Sequence, residues 1–365
     1  MSHHCSRSTT QQISDQLPHV YKNLIPALLQ TRIPTEVLST CNHCAKVYRP
    51  GDPQIPGLWY YSPDTKCCTF HPDLPNYLVG GLLAGANTSA EGRNRIRKKI
   101  RKRTGVTPFG IAPPAKYSLL YNHFDSGSFG RAGSMLCPYY ETKDGTCTIW
   151  NYREATCATF FCKPVTGQDG FAFWKTFKEY LTIVQATLVS YVLNCLGFEA
   201  LLKTDDYSKD LLLTPEDLDD LPLNEHVYGS IWKNWTGREE EFYVRSYDLV
   251  TNLSAHEFES LVDMLQRILL RRLHAMRQQM MKSKVPSVLK ISPQFVASRL
   301  ENGEYLLTTE SGYYQVPAIV HRALQYFNGL LTNEEVVRKL DQDHNALLEK
   351  DLIVYLYQCR ILVRA

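Results

Sequence analysis

Eight cysteines fall in pairs or short spacings between positions 41 and 162, and no other feature constrains the fold of this chain as strongly. Cys41 and Cys44 stand in CNHC, Cys67 and Cys68 in KCC, and Cys137 in LCPYY. Cys147 follows in TCTIW, then Cys157 and Cys162 in ATCATFFCK. What such a set can do depends on the redox compartment. The N-terminus, MSHHCSRSTTQQISDQ, lacks the apolar stretch of a signal peptide. No run of roughly eighteen apolar residues occurs, so no membrane span or membrane partner is expected. The expectation is a cytoplasmic protein, where a disulfide framework is disfavoured. The cysteines then read as metal ligands, reactive thiols or small apolar core residues. Of the eleven in the chain, Cys5 lies in the polar tail. Cys195 in YVLNCLGF and Cys359 in VYLYQCRIL sit in apolar helical contexts and read as packed thiols.

A C-x2-C turn lets two thiolates face one ion. The full count satisfies a four-cysteine zinc site or an iron–sulfur cluster such as [4Fe–4S]. Neighbours such as Cys67 and Cys68 point opposite ways in an extended chain, so which of the two is a ligand stays open. His43, His71 and His123 lie nearby, although a lone histidine is more often structural. The C-x3-C-x2-C spacing of radical S-adenosylmethionine enzymes is absent. The candidate metal ligands are therefore Cys41, Cys44, Cys67, Cys68, Cys137, Cys147, Cys157 and Cys162.

The 365 residues and 44% apolar composition suit two to three domains with sizeable cores. Residues 1–35 read as a tail and a short helix, and 36–169 as a loop-rich cysteine-cluster unit held by metal. A helical region spans 170–285. Within it Phe173, Phe177, Leu181, Val184, Leu188 and Val192 recur at helical spacing. An acidic connection over 205–225 contains a helix start at Thr214-Pro215-Glu216. Ser254 and Glu257 fit a capping box that opens one long helix to 282, striped by Phe258, Leu261, Leu265, Ile268 and Leu269. Residues 283–293, with Pro286 and Pro293, read as a linker. From 290 to 365 a hairpin turning at Glu310-Ser311-Gly312 precedes three short helices, near 318–327, 333–340 and 347–359. Thr332 and Glu335 cap the second of them. The fold class is α+β, mainly α, with a winged-helix-like C-terminal module.

Two further features carry charge or glycine. GRNRIRKKIRKR holds eight Arg or Lys between Arg93 and Arg103, with Ile96 and Ile100 on one helical face. It suits phosphates or an acidic peptide, or else a solvated helix face. Net charge is only +3, so any anionic partner must be met locally. VGGLLAG and SGSFGRAG match no phosphate-binding loop and read as turns and close packing. The Glu239-Glu240-Glu241 run reads as a solvated face rather than an acid–base pair.

The stretch from Cys137 to Cys162 resembles the signature of YkgJ-like cysteine-cluster proteins, a zinc- or iron-chelating family. Gly145, Cys147, Ile149, Trp150, Arg153, Cys157 and Cys162 match its pattern, and an upstream C-x2-C and CC complete it. Glu154 stands where the family has Pro, Phe161 stands where Pro often precedes the last Cys, and 22 residues separate Cys44 from Cys67. The resemblance covers about a third of the chain and implies a metal or iron–sulfur centre without naming a reaction. A flagellin lysine methylase shares this type of cluster, so enzymology follows by analogy alone. Residues 290–365 resemble PqqD-like winged-helix domains, which implies capture of a peptide along strand residues Tyr305 to Thr308. The leading expectation is a metal-binding protein that modifies or binds a peptide or protein. The alternative is a zinc-stabilised regulator whose Arg93–Arg103 run contacts nucleic acid.

Overall fold

The computed structural model describes residues 13, 17–24, 44, 47, 60–85, 87–124, 126–160, 167–198, 214–282, 285–309 and 312–365. The described chain is α+β with 54% helix and 12% strand in small antiparallel sheets. It forms two compact units. The first comprises 1–32, 64–160 and 177–271, and the second 33–63, 161–176 and 272–365. The described cysteines from Cys67 to Cys157 and residues 177–271 fall in the first unit, and Cys44 falls in the second.

In the first unit, β1 (Leu74–Pro75), β2 (Val106–Thr107) and β3 (Gly110–Ile111) form a sheet in the order β1-β3-β2. VGGLLAG is not a turn. It lies in and just after α1 (Asn76–Ala84), while the basic run forms α2 (Ala90–Lys102). Ser89 caps α2 by accepting from the Gly92 N–H at 2.9 Å. Ile96 and Ile100 are its buried stripe, as their spacing predicts. Then come α3 (Ala115–His123), the hairpin β4 (Tyr140–Glu141) and β5 (Thr146–Cys147), and α4 (Ala155–Thr159). Helix α5 runs Gly167–Cys195, and all six residues of the predicted stripe are buried. Its last residue, Cys195, is exposed rather than packed.

Thr214 caps α6 (Pro215–Leu218) with Asp217 completing a capping box, and α7 (Glu225–Trp232) and α8 (Glu239–Thr251) follow. The Glu run opens α8, where acidic residues suit the helix dipole. Glu239 is nevertheless buried, Glu240 pairs with Arg97, and Glu241 pairs with Arg238. The expected single helix over 254–282 is two: α9 (Ala255–Leu261) and α10 (Met264–Lys282). Ser254 and Glu257 form the capping box. Asp263 and Gln266 form a second reciprocal pair, each side chain accepting from the other's N–H at 2.8 and 2.9 Å. That cap interrupts the apolar stripe. Leu265 and Ile268 are exposed, while Leu269 and Leu273 are buried.

The dominant packing in this unit is α1 on α8. It depends on glycine. A Cβ on Gly80 would overlap the Tyr243 carbonyl, and one on Gly81 would overlap the Tyr152 ring. Tyr243 itself is fixed, its hydroxyl donating to the Thr107 and Gly110 carbonyls at 2.8 and 3.0 Å. The predicted close packing of this glycine stretch is therefore real, but within a helix.

The second unit carries two three-stranded sheets. One is ordered β10-β6-β11, from β6 (Val288–Ile291), β10 (Asn328–Thr332) and β11 (Leu362–Arg364). The other is β7-β8-β9, from β7 (Val296–Arg299), β8 (Tyr305–Thr309) and β9 (Gly312–Val316). The expected linker is in part strand β6. Helices α11 (Ala318–Leu324), α12 (Asn333–His344) and α13 (Lys350–Gln358) alternate with strands rather than following them as a block. Thr332 and Glu335 form the predicted capping box. Leu289, Leu307, Leu324, Phe327, Leu340 and Leu356 centre the core, and Cys359 is buried in it.

Gly80→Ala is expected to destabilise the first unit by about 2–3 kcal/mol, because the clash is with backbone that cannot repack. Urea unfolding checks this. An unchanged midpoint would mean that α1 and α8 are not packed this closely.

Candidate metal centre

Backbone contacts bring Cys67, Cys68, Cys137 and Cys147 into one region of the first unit, and Cys157 lies near enough to interact with Cys137 and Cys147. Thr65 and Thr69 tie their turn to the Gly130 backbone: Thr65 Oγ1 donates to the Gly130 carbonyl at 2.6 Å, and the Gly130 N–H donates to Thr69 Oγ1 at 2.8 Å. The Cys137 N–H then donates to the Cys68 carbonyl at 2.7 Å. Tyr140, whose N–H reaches the Cys137 carbonyl, pairs across the hairpin with Cys147. Gly145 closes the hairpin at φ +61°, a left-handed conformation that favours glycine, and Lys66 Nζ donates to its carbonyl at 2.5 Å.

Cys157 is placed by α4. Glu154, which departs from the family pattern, caps this helix. Its carboxylate accepts from the Thr156 and Cys157 N–H groups at 2.6 and 2.7 Å. Gln185 of α5 holds the same turn, accepting from the Ala155 N–H at 3.2 Å while donating to the Tyr21 hydroxyl at 2.9 Å. Arg153 lies 3.5 Å over the Trp150 ring and donates to the Trp150 and Cys157 carbonyls, each at 3.0 Å. The matched Gly145, Arg153 and Cys157 thus each have a structural task.

The thiols feel one another. Cys137 is buried, and the other four are half-buried. Burial, then the neighbouring Cys147, pushes the Cys137 thiol up to about 12. Burial, then Glu154, and then Cys137 and Cys147 push Cys157 up. A hydrogen bond with Cys68, followed by burial, raises Cys67. Without a cation these are protonated, unreactive thiols, because thiolate is the nucleophile. A soft cation would reverse that balance, since thiolate is its ligand. The donor set fits such a cation in chemistry. In placement it stops short: among the described residues no three His, Cys, Asp or Glu side chains form a group that could hold a metal ion. Cys41 and Cys162 lie outside the described residues, and Cys44 belongs to the second unit.

A second constellation adjoins the cysteines and was not read from the sequence as a unit. His71 Nε2 stands 3.2 Å from Lys99 Nζ of α2, and its ring meets Tyr117 and Tyr139 edge-on. Lys99 lies 5.8 Å from the Tyr139 ring centroid. Burial, with Lys99 adding to it, lowers His71 to about 3. Burial lowers Lys99 to about 8, against the opposing pull of Cys137 and Asp220. His71 is therefore a buried neutral acceptor, while His123 is exposed at the end of α3 and His43 lies outside the described residues.

In the second unit, the resemblance assigns peptide capture to Tyr305–Thr308. These residues lie in β8, the central strand, hydrogen-bonded to β7 on one side and β9 on the other. A peptide strand needs a free edge, so this placement is corrected. No helix among the described residues is long and apolar enough to cross a membrane. No protein-family model, curated protein or solved structure matches the chain.

His71 binds its proton in the unfolded chain near pH 6.5 but in the folded one only near 3. Its contribution to stability is therefore complete above pH 6.5 and is lost as pH falls toward 3. Over that window the slope is at most about 1.4 kcal/mol per pH unit. His71→Phe should flatten the acid limb in unfolding titrations, and parallel limbs would refute a neutral buried His71.

Proposed function

We propose that the chain is a thiolate metal-binding protein of the YkgJ-like type, holding zinc or an iron–sulfur cluster in its first unit. One observation carries the reading. Five cysteines from four separate segments lie near enough to raise one another's pKa, and they are buried or half-buried. Cys137, Cys147 and Cys157, with Cys67 or Cys68, would hold the ion. Tetrahedral zinc at a Zn–S distance of about 2.3 Å draws four sulfurs to about 3.8 Å apart. The bound centre would supply either a fixed cross-link or a one-electron couple. The protein supplies enclosure, the Glu154 cap that orients Cys157, and Arg153, whose charge favours thiolate at Cys67.

A nucleic-acid regulator is less well supported. Arg95 pairs with Glu91 and Glu141, Arg97 with Glu240, and Arg103 with Glu225. Three guanidiniums of the basic run are thus engaged within the protein, where a phosphate reader would present them outward.

Metal analysis and absorption spectra of anaerobically purified protein test the proposal. About one centre per chain is expected, colourless with zinc or brown with iron and inorganic sulfide. Cys147→Ser and Cys157→Ser should each lose most of the metal, while Cys195→Ser on exposed α5 keeps it. Metal-free wild-type protein, or full occupancy in both variants, would sink the assignment.

A further inference from the structure

Beside the cysteine region, in the same unit, helix α2 forms one side of a groove of about 1230 Å³. Pro114, Pro138, Pro222 and Leu223 contribute apolar wall, and Lys98, Lys99, Arg101 and Lys102 contribute cations. The other lining arginines are already satisfied, Arg95 by Glu91 and Glu141 and Arg103 by Glu225. Lys98, Arg101 and Lys102 are exposed and stand outside the described ion pairs. Of the lining carboxylates, only Asp220 stands outside them. The groove therefore keeps an excess of positive charge after its own pairs are counted.

We propose that this groove binds an acidic, extended peptide segment of a partner protein. The chemistry separates that occupant from other polyanions. Single-stranded nucleic acid needs rings on which bases stack, and among the described residues no aromatic lines the groove. A bilayer presses on flat or convex basic surface, whereas this site is concave. Phosphate recognition favours free, forked guanidiniums, and among the described residues Arg101 is the only lining guanidinium outside the ion pairs. Lysines attract carboxylates as point charges, as they do phosphates, and it is the proline and leucine walls, where apolar side chains of a peptide can lie, that favour a peptide. The protein already shows the match in miniature. Its own acidic segment reaches this wall, with Glu225 3.3 Å from Arg103 and Asp220 acting on Lys99. A peptide seated here would pass Pro138, the residue after Cys137, so groove and cysteine region are served by one stretch of backbone. Binding itself does not require the metal centre.

The test is fluorescence anisotropy of a labelled peptide rich in Glu, Asp and Leu, with the full chain at low salt. The triple variant Lys98→Glu/Arg101→Glu/Lys102→Glu should bind about tenfold more weakly, the sum of several surface charge pairs. Lys98→Ala/Lys102→Ala should show a smaller loss in the same direction. Lys339→Glu, an exposed reversal on α12 outside the groove, should change nothing. Circular dichroism confirms that the variants fold, as expected for exposed positions. Wild-type protein that ignores the peptide, equal losses in the groove and Lys339 variants, or tighter uptake of a single-stranded oligonucleotide or of phosphatidylglycerol vesicles would each overturn the proposal.

Discussion

A thiol shut away from water keeps its proton, and several such thiols near one another keep it more firmly. Thiols so placed lie between residues 64 and 160. The segments that carry the cysteines there are turns, a hairpin of two-residue strands and a five-residue helix, none stable alone. They are joined by side chains bonding backbone: Thr65 and Thr69 to Gly130, Lys66 to Gly145, Glu154 to α4, and Thr148 Oγ1 to the Tyr139 carbonyl at 2.8 Å. Each link fixes the backbone on which a cysteine sits. The surrounding helices then serve as a frame. Gly92 of α2 lies against the Thr148 carbonyl, and Gln185 of α5 reaches the start of α4.

What the sequence disclosed follows the range of the interaction. Capping boxes at Ser254 and Thr332 were legible because the partners lie three residues apart, and the cap at Thr214 was legible from the Pro that follows it. The α5 stripe was legible because one face repeats over a long helix. The break at Asp263 was hidden because its cap sits inside an unbroken apolar period, and period alone favours continuity. Strands β6, β10 and β11 were missed for a different reason. They are three to five residues long and pair across wide sequence gaps, Val288 with Thr332 and Lys290 with Val363. Residues this far apart carry no local signal of their pairing.

For the site, the motif spacing identified the cysteines but not how they are held. Glu154 looked like a defect in the family pattern. In the folded chain a carboxylate at that position satisfies two N–H groups of α4, which a proline could not do. Lys99 and His71 lie 28 residues apart, so their pairing is tertiary and no spacing announces it.

The basic run shows how far charge counting misleads. Eight cations in eleven residues suggest a phosphate surface. Folding divides them. Arg95, Arg97 and Arg103 are spent on carboxylates brought from α7, α8 and the hairpin, and those pairs help to fix α2 against its neighbours. Exposed pairs of this kind contribute only about 0–1 kcal/mol each, so their main effect is orientation. With those three guanidiniums paired, Lys98, Arg101 and Lys102 are left exposed along a trough rather than a ridge. Net charge alone says nothing of that difference. A ridge and a trough carry the same sign, but only a trough walled by proline and leucine encloses an extended chain and gives its apolar side chains contact.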